Sequence, residues 1–341
     1  MDSFPLSLCR QVLWVAFPLA FSANAYAQTA PADASSRQLS ADFTTEEPMV
    51  HDPVMAYEDG VFHLFSTGQG LQHAVSTDMK IWTVKAAPVM TVIPQWTHDS
   101  VPGFRQHVWA PDIVRYRDRW WMTYSCSTFG RNTSAIGLLS TRSLNGRPIW
   151  NDEGCVVRSR RGTDRWNAID PNIIIDREGQ PWMTFGSFWD GIQLVRLDST
   201  LHLDTLYRRR TIARRYTGKR ENPVEAPFIF RHGDYYYLFV SWDYCCRGAQ
   251  SSYKVVVGRS RNIEGPYLDS HGIDMAQGGG TMVIEGDKRE LEAAGHCAVY
   301  HFNGQDYFLC HGYSVKWDGV SVLVLRRMEW DSDGWPVLQR L

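Results

Sequence analysis

Five stretches of the chain repeat one pattern, a turn followed by a strand dense in aromatic residues. They read EDGVFHLFST (58–67), RDRWWMTYSC (117–126), EGQPWMTFGS (178–187), HGDYYYLFVS (232–241) and NGQDYFLCHG (303–312), so they recur every 54 to 71 residues. Alternation of aromatic and β-branched residues between turn signals runs along the whole chain, and long helical periodicity is absent. This is the pattern of an all-β protein built from five similar units. A four-stranded propeller blade takes roughly 40–50 residues, and the longer period here leaves room for loops. The expected fold is therefore a five-bladed β-propeller.

Each repeat is preceded by a short apolar strand: HDPVMAY (51–57), WAPDIVRY (109–116), IDPNIII (169–175), VEAPFIF (224–230) and GHCAVY (295–300). The head of each strand carries a special residue in nearly constant phase. Asp52 to Gly60, Ala110 to Asp118, Glu225 to Gly233 and His296 to Gly304 are each eight residues apart, and Asp170 to Gly179 is nine. Four of the five strands have a proline one or two positions after that residue, which suits the first position of a strand. In a propeller the first strand of each blade lines the central channel, so these five heads converge on one axis. A carboxylate such as Glu225, between apolar residues, costs several kcal/mol in a closed core but is tolerated at a polar axial hole.

The partner class follows from charge and composition. Lys and Arg number 35 against 37 Asp and Glu, which gives a net charge of -2 and no basic field for nucleic acid or an anionic membrane. Aromatics are in surplus, with 14 Trp, 15 Tyr and 15 Phe among 341 residues. Indole and phenol rings stack well on the flat apolar faces of sugars. Three carboxylates, Asp52, Asp170 and Glu225, around a cleft for a neutral ligand suggest glycoside hydrolysis, in which one acid protonates the leaving oxygen and one base or nucleophile works on the opposite face.

The N-terminus reads as an export signal over residues 1–27. Arg10 precedes the apolar run from Val12 to Phe21, and Ala25-Tyr26-Ala27 supplies a small-x-small cleavage site. Residues 28–48 read as a flexible tether and 49–341 as the propeller, so the mature protein is expected in the periplasm or outside the cell. Cleavage removes Cys9 and leaves Cys126, Cys155, Cys245, Cys246, Cys297 and Cys310. Export permits disulfides, but no spacing selects a pairing, and the adjacent Cys245 and Cys246 are not expected to bridge each other.

The motifs HDP (51–53), WAPDI (109–113), NAIDPN (167–172), GSFWDGI (186–192), VEAPFIF (224–230), SWDYCCRG (241–248) and GH (295–296) resemble those of glycoside hydrolase family 43, specifically its endo-1,5-α-L-arabinanases. The likeness runs over about residues 50–340. It implies a five-bladed propeller and inverting hydrolysis of arabinan, with Asp52 as general base, Glu225 as general acid, and Asp170 raising the acid's pKa and orienting it; the protein is expected to be a monomer. Asn167, Ser187, Phe188 and Trp189 match substrate-contacting positions, and Trp109, beside an axial residue, is a candidate sugar platform. His296 matches the family's axial histidine, usually found beside calcium or another ion. The family commonly has Asn after Gly-His where this chain has Cys297. Exo-acting arabinanase, α-L-arabinofuranosidase or β-xylosidase activity on the same fold is the alternative, and a non-catalytic arabinan-binding protein is the rival of another class.

Overall fold

The computed structural model describes residues 41–341, and the expected signal segment and most of the expected tether lie outside them. Five antiparallel sheets follow one another along the chain. Their first strands are Val54–Glu58, His107–Tyr116, Asn172–Ile175, Val224–His232 and Leu291–Phe302. Each of these touches the first strand of the next sheet, and the fifth touches the first, so the inner strands close a ring. This is the five-bladed propeller. The aromatic repeats form the second strand of every blade: Val61–Ser66, Arg119–Cys126, Pro181–Phe185, Tyr235–Trp242 and Gln305–Ser314. Among the described residues no helix is long and apolar enough to cross a membrane.

The aromatic surplus fills the wedges between blades. Tyr57 and Phe62 of the first blade pack on Phe302 of the fifth, with ring centroids 6.0 and 5.7 Å apart, and Phe228 of the fourth meets Tyr300 of the fifth at 5.6 Å. Trp120 of the second blade donates to Glu58 of the first at 2.7 Å. Offset and edge-on pairs of this kind add to the apolar area that each ring removes from water.

Polar stitches join the inner strands of neighbouring blades. Buried Asp112 of the second blade accepts from the Ile173 amide (2.6 Å) and from Asn172 Nδ2 (3.3 Å) of the third. Asn172 Oδ1 in turn accepts the Ile229 amide of the fourth at 2.9 Å. A buried acceptor that satisfies a strand-end N–H does work the ladder cannot do there. Burial pushes the Asp112 carboxyl up to about 7, against the pull of those donors.

The tether expected over 28–48 ends earlier than its sequence suggests. Phe43–Thr45 pairs with Trp82–Val84 as the outermost strand of the first blade. Met49 then bridges to Val322 of the fifth blade, and the Leu323 amide donates to the Pro48 carbonyl at 3.0 Å. The chain thus joins first and last blades before entering the inner strand at Val54. Ala, Ser and acidic residues disguised this strand because an edge strand needs no apolar alternation.

The cysteines also depart from expectation. Cys245 and Cys246 form a disulfide with each other, in the loop after the second strand of the fourth blade. Cys126, Cys297 and Cys310 are buried thiols and Cys155 is half-buried. Cys297 packs in the core with Ala298 and Cys310, so the residue after His296 points away from the axis.

Candidate active site

One backbone device recurs at the axis. Asp52, Ala110, Asp170, Ala226 and His296 have φ of 53°, 44°, 58°, 53° and 53°, a left-handed conformation that costs residues with a Cβ about 1–3 kcal/mol each. The strand pairing is shifted by a bulge at these points in the second, fourth and fifth blades. The equivalent residue of the fourth blade is therefore Ala226, and Glu225 stands one position ahead of the phase in which the sequence places it. A bulge re-aims the side chain beside it, and here that side chain is a carboxylate.

The backbone N–H of each left-handed residue is captured by the preceding blade. Thr67 Oγ1 accepts from Ala110 (2.8 Å), Ser125 Oγ from Asp170 (3.0 Å) and Ser241 Oγ from His296 (2.8 Å). Two places break the rule. Ala226 donates to Asp170 Oδ2 (3.2 Å), while Ser187, which occupies the hydroxyl position of the third blade, donates to Glu225 Oε2 at 2.7 Å. Asp52 donates to His311 Nδ1 at 3.1 Å, so an imidazole makes the stitch where the ring closes.

Asp52 is held by three side chains. His51 Nδ1 and His296 Nδ1 lie 2.8 and 2.9 Å from its Oδ1, and Thr67 donates to Oδ2 at 2.6 Å. Burial alone raises a carboxyl, but the two imidazoles outweigh it and hold Asp52 well below the usual carboxylate range. His296 answers in the opposite direction: burial works against its charge, yet Asp52 and the neighbouring acids raise it to about 9. Burial pushes His311 well down, which keeps its Nδ1 free to accept from Asp52.

Glu225 is set the other way. Burial raises its carboxyl, and hydrogen bonds from Ser187 and from the Tyr253 hydroxyl (2.8 Å to Oε1) oppose that rise without cancelling it. Asp170 is also raised, by burial and by the adjacent Glu225 and Asp52 carboxylates, against the pull of His296. One axis therefore holds one carboxyl set low beside two set high. Groups pushed apart in this way can act as base and acid together.

The structure brings Asp52, Asp170, Glu225, Ser187 and His296 into this one network. Asn167 is buried nearby in the chain, with its Oδ1 taking the Ser134 hydroxyl at 2.7 Å. Trp109 is half-buried at the head of its strand and donates to His107 Nδ1 at 3.0 Å. Phe188 lies 6.0 Å from the Tyr244 ring, and Trp189 is 41% exposed. A cavity of about 250 Å³ opens beside Trp189, lined also by Arg131, Asn132, Arg161 and Asp164. Trp189 gives this cavity one aromatic face among polar groups, which suits a sugar ring. Sequence reasoning missed Thr67, Tyr253, His311 and Tyr313, and gave His51 no role although it opens the HDP motif.

The chain matches the family model of glycosyl hydrolases family 43 over residues 47–336. It is 38% identical to an extracellular endo-α-(1→5)-L-arabinanase of Bacillus subtilis, over 91% of this chain and 92% of that one. An exo-1,5-α-L-arabinanase structure from a bovine ruminal metagenomic library superposes with a TM-score of 0.83 at 52% identity, covering 87% of this chain and 98% of the other. A Cellvibrio cellulosa α-L-arabinanase complexed with arabinohexaose gives 0.80 at 40% identity, covering 86% and 96%. With the family model spanning nearly all of the described residues, the chain belongs to glycosyl hydrolases family 43.

Proposed function

We propose that the protein is an exported arabinan endo-1,5-α-L-arabinosidase, which hydrolyses internal α-1,5-L-arabinofuranosyl linkages with inversion of configuration during breakdown of plant cell-wall pectin. The observation that carries this reading is the opposite setting of Asp52 and Glu225 at one axis. Asp52, ionised, takes a proton from the attacking water. Glu225, which retains its proton, gives it to the departing oxygen. Asp170 fixes the backbone just after Glu225 through the Ala226 amide, and as a neighbouring carboxyl it favours the protonated acid. At the end of a turnover Asp52 carries a proton and Glu225 lacks one, and exchange with solvent resets both. A single chain supplies every group named, which supports action as a monomer. The retained carboxylates speak against a non-catalytic arabinan-binding protein.

Arabinan as substrate is supported by the endo-arabinanase name of the Bacillus relative and by the arabinohexaose bound to the Cellvibrio neighbour. The extracellular relative supports export. Exo action is the second reading, favoured by the 52% identical exo-arabinanase structure. Debranched linear arabinan separates the two. Internal cutting gives a rapid fall in viscosity and mixed oligomers, and exo action gives one small product with viscosity nearly unchanged.

An axial calcium fits the residues in one form only. Calcium takes six to eight oxygen ligands. The one cluster of metal-binding type among the described residues, His51, Asp52 and His311, offers two imidazoles and one carboxylate, already engaged with one another or with Tyr313. His296 spends Nδ1 on Asp52, and only the neutral ring, which gives up the charge that Asp52 favours, could lend its Nε2 as one direct contact to an ion otherwise shelled by water. Bound there, the ion supplies positive charge that lowers the pKa of nearby carboxyls.

A further inference from the structure

The stitch that closes the ring differs from the other hydroxyl stitches in using an imidazole, and beneath it sits a tyrosine that no motif singled out. The Tyr313 oxygen lies 3.1 Å from His51 Nε2 and 3.3 Å from His311 Nε2, and it accepts the Cys246 amide at 2.7 Å. Tyr313 is 3% exposed.

One arrangement of protons, with the His51 and His311 rings both neutral, satisfies the polar contacts around Tyr313. His51 Nδ1 faces a carboxylate oxygen, which can only accept, so Nδ1 carries the proton. A neutral ring then leaves Nε2 as an acceptor, and Tyr313 O–H is the donor that meets it. His311 Nδ1 accepts from the Asp52 amide, so its proton sits on Nε2 and points to the Tyr313 oxygen. In that arrangement the bonds run one way: Cys246 N–H and His311 Nε2–H to the tyrosine oxygen, tyrosine O–H to His51, His51 Nδ1–H to Asp52. A tyrosine hydroxyl held from three sides therefore selects the tautomer that an imidazole presents to a catalytic carboxylate.

We propose that Tyr313 is a positioning residue for the base: through His51 it fixes the tautomer and ring plane that orient the Asp52 carboxylate, and it is itself anchored by the backbone of the Cys245–Cys246 loop. The inference rests on the reading of Asp52 as base. The disulfide joins Cys245 to the residue whose amide supplies the anchor, and Cys246 Sγ lies 3.8 Å from His51 Nε2, so the loop also packs against the ring it helps to set. A partner that orients a catalytic group from outside typically changes activity by roughly 10- to 100-fold when removed.

Tyr313→Phe in the full chain tests this on arabinohexaose. We expect kcat to fall roughly 10- to 100-fold with KM within about twofold of wild type. The double variant Tyr313→Phe/His51→Gln should lose little more than His51→Gln alone, because both act through one contact. The ring ¹⁵N shifts of His51 supply a readout independent of turnover: protonated Nδ1 in wild type, and a mixture of tautomers in Tyr313→Phe. A kcat within twofold of wild type, multiplicative losses in the double variant, or an unchanged His51 tautomer overturns the proposal. A wild type that leaves arabinohexaose uncut while the tautomer shifts as stated places the failure in the substrate assignment and leaves the positioning role supported.

Discussion

The Tyr253 hydroxyl donates to Glu225 Oε1 at 2.8 Å, from a tyrosine 1% exposed and 28 residues further along the chain. A hydrogen bond to the charged form of an acid lowers its pKa. Tyr253 thus moderates the rise that burial imposes on Glu225. Tyr253→Phe should move the alkaline limb of the pH–rate profile to higher pH by about one unit, the scale of one charge-assisted hydrogen bond of ~1.5 kcal/mol. A limb that stays in place or moves down contradicts the assignment of Glu225 as the group that must be protonated.

The ion pair of His296 with Asp52 should appear in stability against pH. His296 titrates near 9 in the folded protein and near 6.5 when unfolded, so the folded state binds the proton more tightly. Its contribution is complete below about pH 6.5 and is lost as pH rises through about 9. Thermal midpoints of wild type and His296→Gln should therefore differ most at pH 6 and converge by pH 9.5. A gap independent of pH across that range contradicts a charged His296.

The stitches between inner strands predict a cost at a residue remote from the chemistry. Asn172→Ala removes the acceptor of the buried Ile229 N–H and a donor to Asp112. Leaving a buried donor unsatisfied costs about 1–3 kcal/mol, which in a chain of this size lowers the thermal midpoint by roughly 2–8 °C. Calorimetry that finds less than about 1 °C shows that the inter-blade bonds are dispensable.

Exhaustive chelation should lower activity and calcium add-back should restore it, with the thermal midpoint nearly unchanged, because the ion is proposed to be held mostly by water and one histidine nitrogen. A midpoint that drops by more than about 5 °C points to a protein-built site instead. Unchanged activity together with no ion in elemental analysis removes the metal from the account.

What the sequence discloses here is what repeats or is local. The turn-and-aromatic pattern announced five blades, and the heads of the inner strands announced Asp52, Asp170 and His296, because strand phase and turn chemistry are written in neighbouring residues. Glu225 was found for a reason that needs correction. Its eight-residue distance to Gly233 looked like the common phase, but the bulge gives that place to Ala226. His311 and Tyr313 meet His51 and Asp52 across about 260 positions of sequence, where no periodicity connects them. Adjacent cysteines carry no pattern that distinguishes a bridge from two thiols, and the edge strand Phe43–Thr45 hides in a polar segment because only one of its edges is paired.

The central claim is the division of labour between Asp52 and Glu225, and two amide variants measured on two substrates test it most directly. Glu225→Gln should lose roughly 10²–10⁴-fold on linear arabinan but retain most activity on an aryl arabinofuranoside whose nitrophenol departs unprotonated, whereas Asp52→Asn should lose activity on both, since no base remains to activate water. Equal losses on the two substrates for Glu225→Gln, or an Asp52→Asn enzyme that still turns over the aryl substrate near the wild-type rate, would contradict it.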